Sequence, residues 1–150
     1  MTRVRLAGQG DAGTLTDLRC AFLEEMGQQL PDGFADHLRD WIETALQAGR
    51  LQAWLAEHEG RVIGSAAVNP YPHLPSVNYP SGTGWYLLNV YVKPAQRQGG
   101  VGTALLAAVG SAAREQGVDA LTLHATARVR GLYERHGFKP SLDAMRLPLA

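Results

Sequence analysis

Apolar positions along the chain switch between a spacing of two and a spacing of three to four, and each switch marks a new element. Residues 3–6 read as a short strand. Leu15, Leu18, Phe22 and Met26 then recur at helical spacing, with Asp11 or Thr14 as the cap, Thr14-x-x-Asp17 as a capping box and Gly27 as the stop. On that wheel Glu25 flanks the apolar stripe, whereas Glu24 points away. Pro31-Asp32-Gly33 breaks the chain before a second helix, whose inner side is Phe34, Leu38, Trp41, Ile42, Ala45 and Leu46. Gly49 ends it. Residues 52–56 and 62–68 read as strands joined by a hairpin turn at Glu59-Gly60.

Residues 69–84 are rich in Pro, Gly, Ser and Asn, and carry Tyr71, His73 and Tyr79. A structureless stretch of that length is often functional, and it is expected to border a substrate site. Residues 85–93 return to a period of two, with Leu88, Val90 and Val92 on one face and Leu87, Asn89 and Tyr91 on the other. Asn is disfavoured inside a strand, so Asn89 is either a structural hydrogen-bonder or a substrate contact. Pro94 ends the ladder. A helix over 100–116 follows, with Val101, Leu105, Val109 and Ala112 on one face and Gly117 as its stop. Residues 120–125 read as a strand and 128–136 as a short helix closed by Gly137. A last strand opens at Phe138 and is completed by 145–149, after a turn near 140–143. The pattern predicts one α/β (α+β) domain over residues 1–150.

Composition narrows the function classes. Fourteen basic residues balance fourteen acidic ones, which leaves no net electrostatic footprint for nucleic acid or a membrane surface. No apolar run is long enough to span a bilayer, and the first residues lack a signal-peptide core. Cys20 is the only cysteine. It falls in a helical pattern and reads as a packed thiol. A cytoplasmic location is the expectation.

The chemistry sits between the strand at 85–93 and the helix after it. Arg97-Gln98-Gly99-Gly100-Val101-Gly102-Thr103 is a glycine loop feeding a helix N-terminus. Glycines let backbone N–H groups approach an anion, and the helix dipole favours negative charge there. A Walker loop would need a Lys after its second glycine, and a dinucleotide fingerprint would need glycine at Leu105. Neither is met. Arg97-x-x-Gly100-x-Gly102 stands, either as a phosphate cradle or as a tight strand-to-helix turn.

That loop resembles the pyrophosphate-binding motif of the GNAT acetyltransferases. A second match supports it: Leu132-Tyr133-Glu134-Arg135-His136-Gly137-Phe138 is similar to the family's Leu-Tyr-Glu-x-x-Gly-Phe segment. Asn89 to Val92 and Leu123 to Ala125 also resemble one branch of that family. The resemblance implies a mixed, mostly antiparallel sheet of six to seven strands flanked by about four helices, with the central strands splayed apart. It implies acetyl-CoA as co-substrate and no metal. The backbone of Val90, Tyr91 and Val92 would hold the pantetheine arm, and Arg97, Gln98, Gly99, Gly100, Val101, Gly102 and Thr103 the pyrophosphate.

The implied reaction is direct attack of an amine on the thioester. The acceptor is a small-molecule or peptide amine, and a strand N–H near Tyr91 or Val92 would meet the oxyanion. Tyr133 would protonate the departing thiolate. Glu25, His73 and His124 are candidates for the base, beside a water relay. Asn89 and His73 are candidates for acceptor contacts. Two departures stand out. Thr126 replaces the Asn that commonly bonds the pantetheine, and Ala144 replaces a Glu that the branch often carries. A non-catalytic acyl-CoA-binding domain and a module for another nucleotide are the alternatives, and the resemblance leaves a homodimer open.

Overall fold

The computed structural model describes residues 2–141 and 144–149, and within them the strands lie side by side in chain order. These are β1 (Thr2–Leu6), β2 (Gln52–His58), β3 (Arg61–Pro72), β4 (Thr83–Val92) and β5 (Leu121–Thr122). The first four pair antiparallel, and β5 joins β4 parallel. The helices are α1 (Ala12–Glu25), α2 (Phe34–Ala48), α3 (Val101–Glu115) and the short α4 (Arg130–Arg135). Glu59 and Gly60 have φ of 51° and 75°. Two left-handed residues are what a two-residue hairpin needs, so the β2–β3 turn forms as expected.

Each face of the sheet buries its own core. Leu15, Leu18, Ile42 and Ala45 of α1 and α2 pack on Ala53, Leu55, Ala67 and Tyr91. Val101, Leu105 and Val109 of α3 pack on the other face, over Trp54, Ala56, Trp85 and Leu87. Leu105 is fully buried, which is worth ~2–3 kcal/mol relative to exposure. Gly64 allows this approach: a Cβ there would stand 2.8 Å from the Tyr91 carbonyl oxygen and 3.4 Å from both Leu105 and Val101.

One irregularity re-aims the centre of the sheet. Ser65 pairs with Tyr91 but Ala67 pairs with Leu88, so β4 carries one extra residue at that point. Asn89 sits in this bulge at φ 54°, a left-handed conformation that Asn tolerates better than most residues. The extra residue reverses the alternation. Leu87, Val90 and Val92 all face the α3 core, while Tyr91 joins the α1–α2 core. The expected grouping of Leu88 with Val90 and Val92 is therefore corrected, because strict period-two alternation does not survive a bulge.

Other boundaries also move. The hairpin β3–β4 extends to Pro72 and Thr83, so the expected loop over 69–84 contracts to ten residues between those ends. His73 N–H donates to Gly82 C=O at 3.0 Å, which puts Pro70 and Pro72 at positions whose nitrogens face away from β4. β2 has already ended opposite Val68, so no ladder bond is lost there. The Tyr71 ring lies over Gly84, where a Cβ would come within 2.5 Å of it. The strand expected over 120–125 is only Leu121–Thr122, paired with Trp85 and Tyr86. No strand forms from Phe138 onward among the described residues; Leu142 and Asp143 lie outside them. Among the described residues the sheet thus has five strands rather than six to seven. Met145, Leu147 and Leu149 keep a period-two pattern but are 98%, 80% and 91% exposed; alternation makes no ladder without a partner strand. At the start of α1 no capping box forms at Thr14. Asp11 precedes the helix, and its carboxylate instead accepts from Arg5 and from the Gly8 amide.

Candidate active site

The site grows from the place where β4 and β5 part. Their ladder stops at Tyr86, and beyond it one edge of β4 has no neighbouring strand among the described residues. Lys93 N–H donates to Ile63 C=O at 2.9 Å, so alternation points the Tyr91 and Lys93 backbone at β3. The backbone groups of Val90 and Val92 are left on the open edge. Of the three strand residues expected to offer backbone contacts, Tyr91 is therefore engaged with β3. Tyr86 Oη and His124 Nδ1 lie 2.6 Å apart at the head of the gap.

At the end of this edge the chain turns through Pro94–Gln96 and the glycine loop into α3. Gln98 and Gly100 have φ of 69° and 83°. The first helical bond runs from Ala104 N–H to Gly100 C=O at 3.0 Å, so the amides of Val101, Gly102 and Thr103 have no acceptor within the helix. The Val101 side chain is buried in the α3 core and contributes only its amide. A Cβ on Gly100 would meet no heavy atom within 4 Å, and one on Gly102 only Leu132 Cδ2 at 3.7 Å. Internal packing therefore does not demand glycine at Gly102. A glycine there leaves the backbone open to close approach, and open amides at a helix N-terminus are the kind of group that binds anions.

The Arg97 side chain is turned the other way. Its Nη atoms donate to both Glu25 oxygens at 2.6 and 2.7 Å, and its Nε donates to Val92 C=O at 2.8 Å. The guanidinium also lies 5.4 Å from the Tyr91 ring centroid. Arg97 and, more weakly, the Tyr91 hydroxyl hold the Glu25 carboxyl below its ordinary range. Burial, with Glu25 beside it, raises the Tyr91 phenol. The structure thus places Glu25 beside the entry of the glycine loop, as an ionised partner of Arg97.

Tyr133 lies in α4, against the cluster that Val90 and Val92 also join, and meets Phe138 edge-on with centroids 5.7 Å apart. Burial raises its hydroxyl above the ordinary value of 10, so the phenol is fully protonated at neutral pH. The Thr126 carbonyl accepts from the amides of Val129 and Arg130, at 3.1 Å each, where α4 begins.

His73 does not join this group. It lies beside the start of β4, roughly 25 Å from Tyr91 at the usual strand rise. Its Nε2 is 3.0 Å from the Asp119 carboxylate, whose side chain is 7% exposed and also accepts from the Ser81 and Gly82 amides. Two tyrosine rings, Tyr71 and Tyr79, flank it. These contacts make His73 a tie in the β3–β4 loop.

Sequence reasoning passed over Arg19. It lies on the α1–α2 side of the sheet in a pocket with Leu38, Trp41, Ile42, Leu88 and Asn89. Its helical spacing from Leu15 and Phe22, which puts a charge on the apolar stripe, is the signal that marks it.

Comparison with known proteins matches this architecture. The sequence model of the acetyltransferase (GNAT) family covers residues 15–138. A predicted acetyltransferase from Clostridium acetobutylicum, solved with acetyl-CoA, superposes with a TM-score of 0.88 at 24% identity, over 99% of this chain and 96% of the other. A GCN5-related N-acetyltransferase from Ralstonia eutropha gives 0.87 at 27% identity, over 99% of both chains. A ribosomal-protein-alanine N-acetyltransferase from Brucella melitensis gives 0.75 at 19% identity, over 100% of both. The comparison with curated proteins returns no significant match.

Proposed function

The chain belongs to the GNAT acetyltransferase family, and we propose that it is an N-acetyltransferase that moves the acetyl group of acetyl-CoA to an amine. The observation that carries the proposal is the continuity of the site. Among the described residues, a strand edge with no partner strand at Val90 and Val92, where Arg97 takes only the Val92 carbonyl, runs straight into a loop whose first helical amides are open. An extended pantetheine suits the edge as an added strand would, and a pyrophosphate suits the loop. The family match and the similarity to a structure solved with acetyl-CoA support the same ligand.

In this reading the amine attacks the thioester carbonyl carbon beside the open edge. An acceptor ammonium first gives a proton to solvent. Glu25 does not take it, because the Arg97 ion pair holds its carboxyl below the ordinary range and makes it a weak base. A backbone N–H of Val90 or Val92 stabilises the oxyanion. As the carbon–sulfur bond breaks, Tyr133 gives its phenolic proton to the sulfur and regains one from solvent. The nitrogen loses its second proton, leaving the amide and free thiol.

Calorimetry with acetyl-CoA, ATP and NAD tests the ligand. Binding of acetyl-CoA alone is expected, and equal binding of ATP would reassign the loop. Thiol release with an amine panel tests turnover. Tight acetyl-CoA binding without thiol release from any amine would identify a non-catalytic acyl-CoA-binding domain.

A further inference from the structure

The pocket between α1, α2 and the bulge of β4 is mostly apolar, formed by Leu15, Leu38, Trp41, Ile42 and Leu88, yet it holds two polar groups that lack a hydrogen-bond partner among the described residues. The first is Arg19. Arg5, Arg39 and Arg97 each bond a carboxylate. Arg19 has no hydrogen bond or ion pair among the described residues, only the Phe22 ring 5.6 Å away. It is half-buried, and burial lowers its pKa with no carboxylate nearby to offset that. The second is Asn89. Its Oδ1 is buried and accepts no hydrogen bond among the described residues. Buried polar atoms are normally partnered, so an orphan acceptor beside an orphan cation marks a place for a ligand that supplies both counterparts.

From this juxtaposition we propose that the acetyl acceptor is an α-amino acid with an apolar side chain. Its carboxylate would pair with Arg19, its amine would donate to Asn89 Oδ1, and its side chain would lie against Leu38, Trp41 and Ile42. The bulge fits the chemistry. Asn89 precedes Val90, the first residue of the open edge, so an amine on Asn89 stands next to the strand that would hold the thioester. A polyamine or an aminoglycoside brings no carboxylate to Arg19, and a second positive charge would meet the guanidinium at close range. The reaction balances as ordinary acetyl transfer. The nitrogen–carbon bond forms as the carbon–sulfur bond breaks, the ammonium gives up two protons, one ends on sulfur and one goes to solvent.

This inference rests on the acetyltransferase reading, so the experiment separates the two. Calorimetry first measures acetyl-CoA binding; its absence defeats the underlying reading. Thiol release is then compared for L-leucine, L-leucinamide and spermidine. Leucine should exceed leucinamide by about ten- to a hundredfold in kcat/KM, the value of one charge-assisted pair. The Arg19→Gln variant should raise the KM for leucine by a similar factor, leave that for leucinamide nearly unchanged, and keep the KM for acetyl-CoA. The Asn89→Gly variant tolerates the left-handed backbone, and should raise the KM for both amines alike. Equal rates with leucine and leucinamide, or a preference for spermidine, would overturn the proposal. If no amine turns over, leucine is titrated into the coenzyme A complex, and absence of binding there overturns it as well.

Discussion

Arg97 grips Glu25 with two hydrogen bonds of 2.6 and 2.7 Å, joining the last residue of α1 to the entry of the glycine loop. The contact places a carboxylate beside the loop proposed to receive a polyanion, and it occupies the Arg97 guanidinium. Removing the carboxylate should therefore favour the ligand. In Glu25→Gln, coenzyme A affinity should rise severalfold by calorimetry. Weaker binding would mean that Arg97 acts only when oriented by Glu25. The pH behaviour follows from the depressed carboxyl. A group whose folded pKa lies below its unfolded value stabilises the fold above that unfolded value, here 4.5, and the contribution is lost as pH falls through the lowered one. The neutral limb of the pH–rate profile should thus be the same in Glu25→Gln and the parent protein.

Gly102→Ala separates cofactor binding from stability. The added methyl makes only an ordinary contact with Leu132 at 3.7 Å, and alanine favours helix over glycine by up to ~1 kcal/mol. The denaturation midpoint should hold or rise while coenzyme A affinity falls by about tenfold, equivalent to one charge-assisted bond. Unchanged affinity in the more stable protein would remove the first turn of α3 from the phosphate site. Gly100 is a poorer probe, because its φ of 83° strains any replacement.

Tyr133→Phe keeps the ring and its edge contact with Phe138 and removes only the hydroxyl. Turnover should fall by ~10²-fold, the lower end for general acid catalysis. Acetyl-CoA affinity should stay constant, since a proton donated to the leaving thiolate acts mainly in the transition state. Turnover within about threefold of the parent, well short of that range, would make Tyr133 a packing residue with solvent as the acid.

Gly64→Ala tests the sheet–helix approach. The new Cβ would stand 2.8 Å from the Tyr91 carbonyl oxygen, a backbone atom that moves only with β4. Overpacking of this kind costs ~1–3 kcal/mol. Urea denaturation should show that loss. Because Tyr91 lies between Val90 and Val92, the KM for acetyl-CoA should rise as well. A stable variant with unaltered kinetics would show that β4 has room to shift.

The sequence by itself determined the features set by short-range chemistry. The Glu59-Gly60 turn needs two left-handed residues, and Gly60 takes one of those positions without a Cβ penalty. The helix after the glycine loop follows from its own apolar stripe, and the Tyr133 segment from its own motif. Tertiary structure decided what depends on partners far along the chain. Asn89 reads as an awkward strand residue, and only the pairing of β3 with β4 shows it to be a bulge that reverses two faces. Arg97 and Glu25 lie 72 positions apart, so no local pattern couples them. Arg19 and Asn89 share a pocket only because α1 crosses the face to which the bulge turns Asn89. Among the described residues the expected last strand does not form, for the same reason. Alternation at Met145, Leu147 and Leu149 is a local property, whereas a ladder needs a second strand within hydrogen-bonding distance.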